Sequence, residues 1–151
     1  MELHIAVDGA VSPNPGFGSV AYCIKRKDGK VLRKAGRRLE GDQITNNQAE
    51  FEAVLWGLEV VQEYYNKICA YLIFYSNSQL VVNILNREWN IGQGGYTKAA
   101  VSALKEVQAF KENLREIEVR WIPRERNTEA NDIAEALVRQ IHREKQSGWA
   151  F

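Results

Sequence analysis

The sequence predicts an α/β domain in which a mixed sheet carries helices on its faces, in the order βββαβααβα. Three observations predict it. The chain opens with alternating segments joined by Asp28-Gly29, a dipeptide suited to a tight hairpin. A short apolar run, Tyr71–Tyr75, leads straight into a helical pattern. The last third holds another strand-like run between two stretches of helical period.

The elements follow in order. Glu2–Asp8 places Leu3, Ile5 and Val7 on one face and reads as a strand ending at Asp8; Pro13-Asn14-Pro15-Gly16 is a loop. Strands at Gly18–Lys27 and about Lys30–Leu39 flank the hairpin turn. Thr45 with Gln48 three places on has the form of a capping box, opening a helix to about Tyr65. A strand at about Ala70–Tyr75 precedes a short helix from Asn77 to about Asn86, with Ser76 and Gln79 as a second capping box. Glycines 92, 94 and 95 interrupt the chain before a helix at about Thr97–Asn113. A strand at Ile117–Ile122 stops at Pro123, and a helix at about Thr128–Lys145 completes the domain, expected over residues 1–145 with a tail at 146–151.

Length and composition fit one ordinary globular domain: 151 residues, 45% hydrophobic and 26% charged, with net charge +1. No apolar run approaches the ~20 residues needed to cross a bilayer, and the N-terminus lacks a basic region followed by an apolar one; a cytoplasmic location without membrane attachment is expected. Cys23 and Cys69 have no metal-ligand spacing and read as buried thiols. Eight cations between Lys25 and Arg38 face one acid, Asp28. This local basic surface suits either phosphate tracking or protection of a sheet edge.

Chemistry is suggested where polar groups meet the apolar pattern. On the first helix Gln48, Glu52, Glu59 and Glu63 form a polar arc, while Glu50 falls near Ala53, Val54 and Gly57. A carboxylate there is costly to desolvate, which makes Glu50 a candidate for metal or acid–base work, against the alternative of a simple arginine pair. Asp8 is followed by Gly9, whose missing side chain permits close approach. Asn77 stands at a strand-to-helix junction that could hold a catalytic carboxylate, and here it is an amide. On the last helix Asn131 lies at the core boundary, whereas Asp132 lies nearly opposite the apolar stripe.

Together Asp8-Gly9, Thr45-Asn46-Asn47-Gln48-Ala49-Glu50, Ser76-Asn77-Ser78-Gln79 and the segment Trp121 to Asn131 resemble ribonuclease HI over nearly the whole chain. The resemblance implies a five-stranded mixed sheet, its first three strands antiparallel, with helices on both sides. It implies hydrolysis of the RNA strand of RNA–DNA hybrids at a cluster of four acids holding two divalent ions, Mg²⁺ or Mn²⁺. The four positions fall on Asp8, Glu50, Asn77 and Asn131, so two expected acids are amides. Implied substrate contacts are Asn46 and Gln79 toward RNA 2′-hydroxyls and Thr45 and Asn47 toward a DNA phosphate, with Gly9 and Ser78 completing the set. Arg124 and Asp132 are additional candidates, Asp132 because its charge lies beside Asn131. A basic protrusion that some members carry between two middle helices is absent from Arg87–Thr97.

The amides imply weakened or abolished cleavage. Asn77 is either natural or an engineered isosteric replacement of aspartate, and the competing reading is a naturally inactive hybrid-binding module of the same fold. A wider ribonuclease H-like nuclease or transposase is a further reading. The expected state is a monomer, and Trp149 and Phe151 in the tail form at most a weak partner-binding signal.

Overall fold

The structure is a computed structural model and describes residues 1–113 and 115–148. Its five strands are β1 (Glu2–Ser12), β2 (Phe17–Arg26), β3 (Val31–Arg38), β4 (Tyr71–Ser76) and β5 (Glu116–Trp121). The helices are α1 (Asn46–Tyr65), α2 (Gln79–Leu85), α3 (Thr97–Glu112) and α4 (Thr128–Gly148), with a 3₁₀ turn at Arg124–Arg126. The sheet order is β3-β2-β1-β4-β5; β1, β2 and β3 pair antiparallel, while β4 lies parallel to both β1 and β5. This is the expected mixed sheet.

The two-residue period of β1 divides the molecule into two layers around the sheet. Leu3, Ile5 and Val7 join the large core beneath α1, α2 and α3, with Tyr22, Phe51, Leu58, Phe74 and Phe110. On the opposite face Ala10 and Ala21 meet Ala130, Ala134 and Val138 of α4. Small residues make close packing feasible. At Gly57 an added Cβ would lie 2.9 Å from Ile5 Cδ1, and at Gly36 one would lie 2.4 Å from Ile133 Cγ2. Both helices therefore approach the sheet too closely for a side chain at these positions.

Three boundaries differ from the sequence expectation. β1 does not end at Asp8: it continues to Ser12 because β2 goes on pairing with it as far as Ser12↔Phe17. What ends near Asp8 is the parallel ladder to β4, whose last pair is Ala6↔Tyr75. The second capping box is replaced by another arrangement. Ser78 caps α2 by accepting from the Val81 N–H, Ser76 Oγ accepts from the Ser78 N–H, and α2 begins at Gln79, leaving Asn77 in the connection. Finally, α4 continues past Lys145 to Gly148; Trp149 and Phe151 lie outside the described residues.

Thr45 caps α1 as expected, its Oγ1 accepting from the Gln48 N–H at 3.1 Å. β3 is an edge strand, and the basic segment has local partners. Lys25 pairs with Glu129, Arg26 with Asp28 and Arg38 with Glu144, while Arg33 lies over Tyr64 and Arg37 over Trp56. Lys27, Lys30 and Lys34 have no ion pair among the described residues, so the segment remains compatible with both edge protection and phosphate tracking. Both cysteines are buried and unpaired, and burial pushes their thiols up. Among the described residues no helix is long and apolar enough to cross a membrane.

Candidate nucleic-acid cleavage site

A cleft of about 500 Å³ opens where β1 parts from β4. It brings together Asp8, Gly9, Asn46, Asn47, Glu50, Asn77, Ser78 and Arg124 of the sequence-nominated residues. Thr45, Gln79, Asn131 and Asp132 do not line it, although Asn131 reaches Asp8 from α4. Thr45 serves as the helix cap just behind the wall, and Gln79 is exposed at the start of α2.

The geometry follows from strand parity. Gly9 faces the beginning of α1, where an added Cβ would lie 2.5 Å from the Ala49 carbonyl carbon. Only glycine permits that approach, which brings Glu50 to the sheet. Asp8, one residue earlier, faces α4 and is 4% exposed. The Gly9 N–H has no β4 partner beside it and donates to both carboxylates, at 3.0 Å to Asp8 Oδ1 and 2.7 Å to Glu50 Oε1. Asn131 Nδ2 donates to Asp8 Oδ2 at 2.7 Å from the opposite layer.

Burial pushes the Glu50 carboxyl well above the usual carboxylate range, and the neighbouring Asp8 charge and hydrogen bond raise it further. The Gly9 N–H and Arg124 pull it back only in part. Two carboxyl groups converging on one N–H carry more negative charge than this largely buried place can hold cheaply. A proton or a cation relieves it.

Asn77 reaches the cleft from the turn between β4 and α2. Its carbonyl accepts from Trp121 Nε1 at 3.1 Å, and its side-chain amide makes no hydrogen bond among the described residues. The available donors for a cation are thus the carboxylates of Asp8 and Glu50 with the amide oxygens of Asn77 and Asn131, an all-oxygen set of the kind hard divalent ions prefer. Asn131 necessarily turns its NH₂ end to Asp8, leaving its oxygen for another partner. Among the described residues no three His, Cys, Asp or Glu side chains stand close enough to form a metal site by themselves. The residues fit a divalent ion, with two charges rather than four.

Asp132 cannot supply the missing charge, because it is exposed on the far side of α4. The acid that α4 does present to the cleft is Glu135, four residues beyond Asn131 and therefore on the same helix face. Its spacing was visible in the sequence; its direction depended on how α4 lies on the sheet. Asn127 was also missed as an organising group. Fully buried, it donates Nδ2 to the Val7 carbonyl at 2.7 Å and fixes the head of α4 beside Asp8. Its Oδ1 meets no donor among the described residues.

Comparison with known proteins decides the family. A profile described as "Reverse transcriptase-like" matches residues 6–137. The chain belongs to the reverse transcriptase-like family. It is a ribonuclease H-like domain. It is 28% identical over 134 residues to the "Bifunctional protein Rv2228c" of Mycobacterium tuberculosis, covering 89% of this chain and 35% of that protein. The chain thus spans about a third of the length of that mycobacterial relative. The solved N-terminal ribonuclease H domain of the same mycobacterial protein superposes with TM-score 0.81 at 25% identity, over 95% of this chain and 98% of that one. A "Ribonuclease H" of Campylobacter jejuni is 27% identical over 143 residues, 91% of this chain and 89% of the relative. LC11-RNase H1, solved in complex with RNA/DNA hybrid, shares the fold with TM-score 0.81 at 22% identity, over 92% of this chain and 98% of that one.

Proposed function

We propose that this ribonuclease H-like domain binds RNA–DNA hybrid in the cleft and is built for metal-dependent hydrolysis of the RNA strand, with cleavage weakened or abolished by its two amides. The observation that carries this reading is the convergence of Asp8, Glu50 and Asn77 on one polar opening, with Asn131 of α4 hydrogen-bonded to Asp8. The names of the ribonuclease H relatives and the hybrid bound by LC11-RNase H1 support the substrate class.

When bound, two Mg²⁺ or Mn²⁺ ions would supply a nucleophilic water and charge stabilisation at the leaving oxygen. The protein's part is placement. Asp8, held from both sides by the Gly9 N–H and the Asn131 amide, offers a fixed carboxylate, and Glu50 shares that N–H. Asn77 offers a neutral oxygen where a carboxylate would add a full charge. Asn46 at the rim can both donate to and accept from ribose hydroxyls, the groups that distinguish RNA from DNA, and Asn47 beside it can donate to a DNA phosphate. The Asn46 backbone N–H is itself fixed by Asn14 Oδ1 at 3.1 Å.

A second reading, a hybrid-binding module without catalysis, is favoured by one observation: the Asn131 amide donates to Asp8, a bond that an ionised aspartate could not make. Cleavage and binding assays on labelled hybrid, duplex DNA and duplex RNA, with Mg²⁺ or Mn²⁺, test both. Preferential hybrid binding is expected; equal affinity for all three duplexes would overturn the substrate assignment.

A further inference from the structure

Arg124 enters the cleft from the 3₁₀ turn and Glu135 from α4, and Arg124 Nη2 donates to Glu135 Oε1 at 2.6 Å. Their side chains are 64% and 37% exposed. An ion pair this open to water contributes little to stability. Its position is more informative than its strength, since both residues line the cleft with Asp8, Glu50 and Asn77. Glu135 does not complete a carboxylate set with Asp8 and Glu50, for no three acids converge among the described residues. Its partner is the guanidinium.

A guanidinium has five N–H donors in a planar fork suited to phosphate oxygens. Arg124 commits one of them to Glu135, and this is its single side-chain hydrogen bond among the described residues. The remaining donors are held at the mouth of a cleft otherwise rich in negative charge. A long unanchored arginine would lose rotamer freedom on meeting a phosphate, whereas one already fixed by a carboxylate has lost part of it beforehand.

We infer that Glu135 is a positioning residue that holds the Arg124 guanidinium at the cleft mouth to receive a non-bridging phosphate oxygen of the bound nucleic acid. The inference rests on the nucleic-acid-binding reading above. It makes an unusual demand on sign: removing a negative charge from a cleft that takes a polyanion should tighten binding, yet here it should loosen it.

The test is a double-mutant cycle of Arg124→Ala and Glu135→Gln, read by fluorescence anisotropy of labelled RNA–DNA hybrid across a salt series in EDTA. Arg124→Ala is expected to weaken binding and reduce the log–log salt slope by about 0.9, the loss of one phosphate contact. Glu135→Gln is expected to weaken binding about three- to tenfold, Glu135→Asp to recover part of it, and the double variant to bind no more weakly than Arg124→Ala alone. Tighter or unchanged binding by Glu135→Gln, or additive losses in the double variant, would overturn the inference. Thermal melting of each variant separates these effects from unfolding. Duplex DNA carries the same phosphates, so the cycle repeated on it tests Glu135 even where preference for hybrid fails.

Discussion

Asn131 Nδ2 donates to Asp8 Oδ2 at 2.7 Å, joining the first turn of α4 to β1. An aspartate at 131 would bring a second ionised carboxylate to the same oxygen. Asn131→Asp is therefore expected to cost about 1–3 kcal/mol of stability without divalent ions. Mg²⁺ or Mn²⁺ should recover most of that loss. Thermal melting with and without metal checks it, and a variant as stable as the parent in EDTA would show that the amide bond contributes nothing.

Asn77 has a different prediction, because its amide has no partner to lose among the described residues. Asn77→Asp is expected to leave metal-free folding nearly unchanged while raising Mn²⁺ or Mg²⁺ affinity and restoring or increasing hybrid cleavage. Calorimetric metal titration beside a cleavage assay measures the two effects separately. Tighter metal binding without cleavage, in this variant and with Asn131→Asp added, would favour the non-catalytic reading.

Glu50 sets the pH dependence. Its carboxyl is raised from an ordinary 4.5, so between the unfolded and folded pKa values the folded state holds a proton that the unfolded chain has released. Stability from this group therefore falls as pH rises through that window; the penalty is absent below the unfolded value and complete above the folded one. Glu50→Gln removes it. The variant should melt higher than the parent in EDTA at neutral or alkaline pH, and the gap should narrow toward about pH 4. A gap independent of pH would contradict the assignment.

Gly9→Ala tests the close approach of β1 to α1. The added methyl would meet the Ala49 backbone, which cannot swing aside as a flexible side chain could. A loss of about 1–3 kcal/mol is expected, together with weaker metal binding because Glu50 is displaced from Asp8. Melting and metal titration should therefore fail together.

Asn127→Ala removes the amide that joins the head of α4 to the Val7 carbonyl. The buried bond predicts a loss of about 1–3 kcal/mol. Hybrid affinity should also fall, since Asn131 and Glu135 lie on the same helix. An unaltered melting temperature would show that packing of Ala130 and Ala134 alone fixes α4.

Periodicity and short-range chemistry made much of the molecule legible. The alternation Leu3, Ile5, Val7 was enough to identify the buried face of β1, and Thr45 with Gln48 to locate the head of α1. The helical wheel separated Glu50 from the polar arc and turned Asn131, rather than Asp132, toward the core boundary. These are properties of neighbours within one element, and 3.6- or 2-residue periods carry them. The end of β1 was not legible in that way, because it depends on β2 continuing where β4 stops.

By itself, then, the sequence determined the order of elements, the faces they bury and the residue types available for chemistry, all consequences of local backbone geometry and burial. Tertiary structure alone decided that one Gly9 N–H serves two carboxylates, that Asn127 anchors α4 to Val7, and that Glu135 meets Arg124. Each depends on the angle and depth at which one element packs against another. Those are fixed by contacts between residues far apart in the chain, such as Gly9 with Ala49 and Gly36 with Ile133, which no local period records.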